Sequence, residues 1–471
     1  MKRVKGLLLS TIAFTLLGVQ AQPLEIGLNQ IVKSLSPNTN ISVMVYDLHT
    51  QRPIYQYHPH QRLTAASTMK LWTSVASLLA LTPEFELKTE LWMSGSMKHH
   101  TWYGDVWLVF EGDPSFSTQA LKHLLKQLHQ KGIDRIQGRW YVVAAPLAND
   151  QYGPGWMWDE LPACYAAPLS RLMLDENCFK VHILPPRIGH RPRLEPSAPS
   201  FIQWQNRLVW RPQCSASDLP FQVKPKGFKR YEWSGCIASN QANLSIAIPE
   251  PFDWVSYQIL KQLKILKIQG VHRIHLRQHR PSLISLNRVA VHHSSLKTWL
   301  KPMLTDSNNV YASQLFLHMG FQRWRNKNTW ARSAKTVQSI LKSHQIDAPK
   351  MIDGSGLSRL NHASASDLFK LLYRVINVPE WSSQMIPALA QLGRSGTLSA
   401  YRVNVPDGVE VLGKTGSMQG VSNIAGMIYA DHSARYLYAI LLEGGLSQHE
   451  HQKRIHAIEH FLDHLIQSLS F

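Results

Sequence analysis

The sequence predicts an α+β fold, and three observations carry that expectation. Helix-spaced apolar residues and strand-like runs mix freely up to Leu81 and again from Ser294 to the end. Between them, residues 178–250 are rich in Pro, Arg and Trp, with short strand-like runs and little helix. The 471 residues also exceed what one ordinary core holds, so two or three domains are expected.

The elements follow in order. Leu24 to Leu35 has helical spacing. Ile41 to Asp47 and Pro53 to Tyr57 read as two strands joined by a turn at His49 to Arg52. Met69 to Leu81 is a strong helix signal that stops near Thr82-Pro83. Thr89 to Met93 and Val106 to Phe110 are strand-like, Ser117 to Gln130 is helical, and Ile136 to Ala144 reads as one strand. Trp254 to Lys267 is a helix, followed by strand-like Val271 to Leu276. Helical character returns from Ser294 through Leu304, over Val310 to Met319 and over Ala331 to Ser343. Val409 to Lys414, Ile424 to Ala430 and Tyr436 to Leu442 read as successive antiparallel strands punctuated by glycines. His451 to Leu469 is an amphipathic helix, expected to pack on the last sheet rather than on a membrane surface. The expected division is 22–87 with 286–471, an inserted α/β domain at 88–177 with 251–285, and a nested small β domain at 178–250.

The N-terminus reads as a secretory signal over 1–21. Lys2, Arg3 and Lys5 precede an apolar run from Gly6 to Gly18, and Val19-Gln20-Ala21 offers small residues for cleavage before Gln22. The run is short for a membrane span. Export makes disulfides available to Cys164, Cys178, Cys214 and Cys236. Three pairings are open. Cys164–Cys178 and Cys214–Cys236 are favoured because each pair is close in sequence. The formal charge is +19, and about +16 without the leader's three cations. A basic surface favours anionic partners. The cations are scattered, and no arginine-rich arm or nucleic-acid motif appears, so nucleic acid is not expected. The 23 histidines include adjacent pairs but no HExxH, and the cysteine spacings do not match a zinc site, so no metal is expected.

Chemistry gathers in three short runs. Ser67-Thr68-Met69-Lys70 sits at a loop-to-helix junction, where i,i+3 spacing puts hydroxyl and amine on one face. A buried lysine can lose its proton near neutrality and serve as a base. Asp306-Ser307-Asn308-Asn309 stands just before a helix. Lys414-Thr415-Gly416-Ser417 lies on a strand and is the only Lys-Thr-Gly in the chain. Ser-x-x-Lys recurs at Ser294…Lys297 and Ser339…Lys342, and Ser-x-Asn at Ser36…Asn38 and Ser285…Asn287. The ordered set is therefore the signal, not any one run.

That set is the signature of the penicillin-recognising active-site serine enzymes. Glu111-Gly112-Asp113-Pro114, Asp353-Gly354-Ser355-Gly356-Leu357-Ser358-Arg359 and the run from Gly413 to Gly420 extend the likeness. With them the chain resembles the D-alanyl-D-alanine carboxypeptidase/endopeptidase family, the class C low-molecular-mass penicillin-binding proteins. The long gap between Ser67 and Ser307 matches that family's two extra domains.

The resemblance implies a β-lactamase/DD-peptidase-like catalytic domain, an antiparallel sheet flanked by helices, with two smaller inserted domains, one mainly β. It implies a periplasmic serine DD-peptidase that cuts D-Ala-D-Ala and D-Ala-diaminopimelate bonds in peptidoglycan peptides, with no cofactor, and that β-lactams inhibit covalently. Ser67 would be the nucleophile and Lys70 its base, with the backbone N–H groups of Ser67 and Ser417 as oxyanion hole. Ser307 would relay a proton to the leaving amine, tuned by Lys414. Asn309 would bind the substrate's peptide oxygen and hold Lys70. Thr415, Ser417 and the charge of Lys414 would receive the terminal carboxylate, and Gly416 would leave room beside the strand. Glu160, Tyr165, Arg359 and Gln419 are candidates for holding the diaminopimelate side chain. Peripheral membrane association and a homodimer stay open. Two other readings use the same fold: a β-lactamase or esterase, and a non-catalytic wall-binding protein. The long insertion and the lack of an acidic deacylation motif weigh against the first, and the intact motif set against the second.

Overall fold

The computed structural model describes residues 24–469 apart from 83, 186–190, 196–198, 200, 216–220, 227–228, 239–242, 281 and 283–285. The leader expected at 1–21 lies outside the described residues. The described chain forms two compact units. The first holds the residues up to Ala80, Leu300–Asn308 and those from Gln338 on; the second holds Leu81–Trp299 and Asn309–Val337.

A six-stranded antiparallel sheet organises the first unit. Its order is Ala390–Gln391, Val409–Met418, Val421–Ala430, Ser433–Glu443, Asn40–Asp47 and Arg52–Tyr57. The strand nearest the N-terminus thus pairs with the last strand of the chain, from Asn40↔Glu443 to Asp47↔Tyr436. Alternation along each strand divides the side chains between two faces. Ile424, Ile428, Ile440, Leu442, Val43 and Val45 share a core with Leu24, Leu28 and Val32 of a helix over 24–34. Ile458, Phe461, Leu462, Leu465 and Ile466 of the helix Gln448–Ser468 join the same core. The C-terminal amphipathic helix therefore packs on the sheet. Ser447 caps it, accepting from the Glu450 N–H at 3.2 Å.

In the second unit a five-stranded sheet runs Ile274–Arg277, Trp140–Val143, Val106–Phe110, Glu86–Met93, Asn287–Ser295. Helices Thr118–Gln130 and Pro251–Ile265 contribute Leu121, Leu125, Leu128, Val255, Ile259 and Leu263 to its core. Residues 178–247 contain only strands among the described residues, in two three-stranded sheets. Trp204 and Trp233 stack there at 5.0 Å. The disulfides are Cys164–Cys178 and Cys214–Cys236.

Three sequence readings need correction. Ile136 to Ala144 is two strands, Arg135–Gln137 and Trp140–Val143, in different sheets. The break falls at Gly138, where a Cβ would come within 1.9 Å of the Gly104 carbonyl oxygen. Ser294 and Ser295 end a long strand, and the helix begins at Leu296. The helix Ala365–Asn377 was not expected, although Ser364 and Asp367 form a capping box that is legible as Ser-x-x-Asp.

Candidate active site

Residues 64–70 are held from several sides. Asn423 Nδ2 donates to the carbonyls of Thr64 at 2.9 Å and Ala65 at 3.0 Å. Ala66 takes the left-handed conformation, φ 46°, so the chain turns sharply just before Ser67. Residues 66–69 form a 3₁₀ turn that runs directly into the helix Lys70–Leu81. Ser67 is half-buried, whereas Lys70 is fully buried.

Lys70 Nζ lies 2.7 Å from Ser67 Oγ and donates to the Ser355 carbonyl at 2.8 Å. Burial is the first cause that pulls its pKa well below the ordinary lysine value. The charge of Lys414 adds to that effect, and Asp353 opposes it. The amine is thus set beside the hydroxyl in a place that favours its neutral form.

The Asp353 to Asn361 loop supplies the Ser355 carbonyl. Asp353 is buried, and its Oδ1 accepts from the N–H groups of Ser355 at 3.0 Å and Gly356 at 2.7 Å. Its Oδ2 accepts from the Ser358 N–H at 2.7 Å, and Asn361 Nδ2 donates to Oδ1 at 3.0 Å. Thr73 Oγ1 donates to the Gly354 carbonyl at 2.6 Å, tying the loop to the lysine's helix.

The Lys-Thr-Gly strand passes close by. A Cβ on Gly416 would lie 2.9 Å from the Ala65 carbonyl oxygen and 3.2 Å from the Thr68 nitrogen. Lys414 is fully buried and donates to the Thr415 carbonyl at 3.0 Å. Burial pushes its pKa down to about 7, with Asp306 acting in the other direction. Thr415 Oγ1 donates to Thr397 Oγ1 at 2.7 Å, and the Thr397 N–H donates to the Thr305 carbonyl at 3.1 Å. Thr305 leads directly into Asp306 and Ser307, so this chain of bonds ties the Ser307 turn to the Lys414 strand. Ser307 itself is left-handed, φ 60°. Ser417 is exposed beside the hairpin turn, where it pairs with Ser422.

A family model, D-Ala-D-Ala carboxypeptidase 3 (S13), matches residues 24–465. The chain belongs to that family. It is a serine-type carboxypeptidase with the β-lactamase-like fold of the DD-peptidases, as the sequence led us to expect. The chain is similar to a D-alanyl-D-alanine carboxypeptidase, DacB, of Haemophilus influenzae, at 26% identity over 428 residues, 89% of this chain and 88% of that one. It is also similar to the crystal structure of penicillin-binding protein 4 (dacB) from Haemophilus influenzae. That likeness has TM-score 0.79 and 25% identity, and covers 93% of this chain and 98% of the other. A second structure of that protein, complexed with a β-lactam, gives TM-score 0.75 at 23% identity, with the same coverage.

Within this S13 carboxypeptidase the remaining candidates fall in two groups. Arg359 Nη1 donates to the Gln419 carbonyl at 2.9 Å, so these two are brought together in the first unit. Glu160 and Tyr165 lie in successive 3₁₀ turns of the second unit. Partial burial, then the charges of Glu160 and Asp159, push the Tyr165 phenol up to about 12. Asn309 opens the helix Asn309–Trp324 and gives one amide proton to the Tyr165 carbonyl at 3.0 Å. Sequence reasoning missed Asn423, Thr397, Glu443 and the Ser355 carbonyl. Only the last had a signal, the Asp-Gly-Ser-Gly turn.

Proposed function

We propose that Ser67 is the nucleophile of a DD-carboxypeptidase and endopeptidase acting on peptidoglycan peptides, and that Lys70 is its base. The observation that carries this reading is the buried, neutral-leaning Lys70 amine 2.7 Å from the Ser67 hydroxyl.

The steps follow from the groups. Ser67 Oγ attacks the carbonyl of the penultimate D-alanine while its proton passes to Lys70 Nζ. The N–H groups of Ser67 and Ser417 receive the oxyanion. The C–N bond breaks, and the leaving amine takes a proton through Ser307. Asn309 binds the substrate's peptide oxygen. Lys414, Thr415 and the Ser417 hydroxyl receive the terminal carboxylate, and Gly416 leaves space for the substrate. Water then hydrolyses the ester and restores Ser67. Where the leaving amine belongs to diaminopimelate rather than D-alanine, the same acyl-enzyme opens a crosslink. Glu160, Tyr165, Arg359 and Gln419 hold the diaminopimelate side chain. A β-lactam acylates Ser67 in place of the peptide. A cleavable leader at 1–21 directs export of the enzyme to the periplasm.

Mass spectrometry of the protein after penicillin treatment tests this. One adduct on the Ser67 peptide is expected, with release of D-alanine from a D-Ala-D-Ala peptide. A Ser67→Ala protein that still forms the adduct would remove Ser67 from the role.

A further inference from the structure

Two stretches of the second unit carry no carboxylate. Residues 254–299 hold eight lysines and arginines with neither Asp nor Glu, and residues 114–133 hold three lysines with neither. The fold brings part of each stretch to one place. The helices Thr118–Gln130 and Pro251–Ile265 end there, and the turns that follow them are bonded to each other. The Gln269 N–H donates to the Asp134 carbonyl at 2.9 Å, and the Ile136 N–H to the Gln269 carbonyl at 2.9 Å. The turn at His99 and His100 joins them, since the His100 carbonyl accepts from the Asp134 N–H at 2.9 Å.

Lys98, Lys131, Arg135, Lys264, Lys267 and Arg273 stand on or beside these three turns, and all are exposed. Asp134 is the one carboxylate among the residues 98–101, 131–135 and 264–273. None of the six cations forms an ion pair among the described residues, whereas Arg280 and Arg288 of the same stretch pair with Glu90 at 3.3 Å and 3.0 Å. A single lysine in a helix's last turn answers the helix dipole. Six unpaired cations that converge from three turns repel one another, and counter-charge from outside the chain relieves that repulsion.

Ile265 selects the kind of counter-charge. It is 56% exposed on the last turn of its helix, with Lys261 and Lys264 before it and Lys267 after it. Met97, next to Lys98, is 49% exposed. A hydrated polyanion offers such apolar tips nothing. At a bilayer surface they enter the acyl boundary while the lysines around them reach the headgroup phosphates. Among the described residues no helix is long and apolar enough to cross a membrane, so the contact is peripheral. We infer that this end of the second unit docks on an anionic phospholipid surface. The inference does not depend on the role of Ser67.

Co-sedimentation of the purified protein with vesicles is the test. Vesicles of phosphatidylglycerol and phosphatidylcholine in equal parts should carry the protein down, and vesicles of phosphatidylcholine alone should bind it about tenfold more weakly or less. Salt at about 0.5 M should release it. Lys131→Gln, Lys264→Gln and Lys267→Gln together should weaken binding about tenfold or more. Lys33→Gln, Lys335→Gln and Lys342→Gln together lose the same charge from other elements and should change it about twofold at most. Ile265→Ser should weaken vesicle binding about threefold or more and leave heparin binding unchanged. Lys98→Gln with Arg273→Gln carries the test should the first triple variant fail to fold. An equal loss in the two triple variants overturns the inference, because the attraction then belongs to the whole basic surface. Equal binding to the two vesicle types, undiminished vesicle binding by Ile265→Ser, or heparin binding without vesicle binding also overturns it.

Discussion

Glu443 holds Thr64 through both of that residue's donors. The Thr64 N–H donates to Oε2 at 2.9 Å and its hydroxyl to Oε1 at 2.8 Å. Asn423, on the adjacent strand, bonds the carbonyls of Thr64 and Ala65 and accepts from the Leu442 N–H at 3.2 Å. Two neighbouring strands thus fix the residues that lead into Ser67.

Loss of that grip should show in both rate and stability. Glu443→Ala removes two hydrogen bonds to a partly buried carboxylate, each worth about 1.5–3 kcal/mol. We expect a lower melting temperature and penicillin acylation slowed about tenfold or more, with Glu443→Gln intermediate. Stopped-flow acylation of folded Glu443→Ala at the wild-type rate would show that the grip does not position the serine.

Gly356 touches the same segment from the other side. Its φ is 85°, and a Cβ there would stand 1.8 Å from the Ala66 carbonyl oxygen and 2.9 Å from the Ser67 nitrogen. Gly356→Ala must therefore move backbone that leads into Ser67, beyond the about 1–2 kcal/mol of left-handed strain. Acylation is expected to fall about 100-fold or more, because misplacement by an ångström costs that much. Gly408→Ala is the control: φ is 79°, with open space around the added carbon. Equal acylation rates in the two variants would rule out the close approach as a requirement.

These two residues mark the limit of what the sequence could tell. The Ser67–Lys70 pair was legible because one helix turn dictates its geometry. The strand carrying Lys414 was legible because Lys-Thr-Gly is rare in the chain and stands among alternating apolar residues. Glu443 and Asn423 carry no such mark. Their partners Thr64 and Ala65 lie more than 350 positions away, and only sheet pairing brings them together. Residues 294–295 misled for a related reason. Their apolar neighbours fit a helix, yet pairing of Asn287–Ser295 with Glu86–Met93 extends the strand. Gly138 broke an expected strand because a distant backbone, at Gly104, fills the space a side chain needs.

Arg454 is 1% exposed on the C-terminal helix and acts on the turn after the Lys-Thr-Gly strand. Its Nη1 donates to the carbonyls of Gly444 at 3.2 Å and Gly445 at 2.9 Å, and its Nε to Ser422 Oγ at 3.3 Å. The Gly444 N–H in turn donates to the Gly420 carbonyl at 2.9 Å. Arg454→Lys cannot reproduce the fork. Arg454→Met leaves two partly buried carbonyls without that donor, at up to about 1–3 kcal/mol for each group. Both should lower the melting temperature, with methionine the worse. Both should also raise KM for D-Ala-D-Ala peptides more than they lower kcat, since the turn carries Gln419 rather than Ser67. A fall in kcat at constant KM would contradict this.

On the proposed roles, the two buried lysines should set opposite limbs of the pH profile. In the proposed mechanism attack needs neutral Lys70, whose pKa is held well below the usual value by burial and then by the charge of Lys414. The rate therefore climbs as pH rises through that depressed value. In the same proposal Lys414 holds the terminal carboxylate in its protonated form, and burial pushes its pKa down to about 7. Affinity for a D-Ala-D-Ala peptide therefore falls as pH passes that value, and kcat/KM should be bell-shaped. Lys414→Met separates the two effects. It removes the positive neighbour that disfavours Lys70 protonation, so the Lys70 pKa rises and the ascending limb moves to higher pH. The descending limb near 7 disappears, and the rate at the optimum drops about tenfold or more with the loss of the carboxylate's charged partner. Penicillin acylation followed across pH in both proteins reads all three changes. An ascending limb that stays put, or moves to lower pH, would show that Lys414 does not act on Lys70 through its charge.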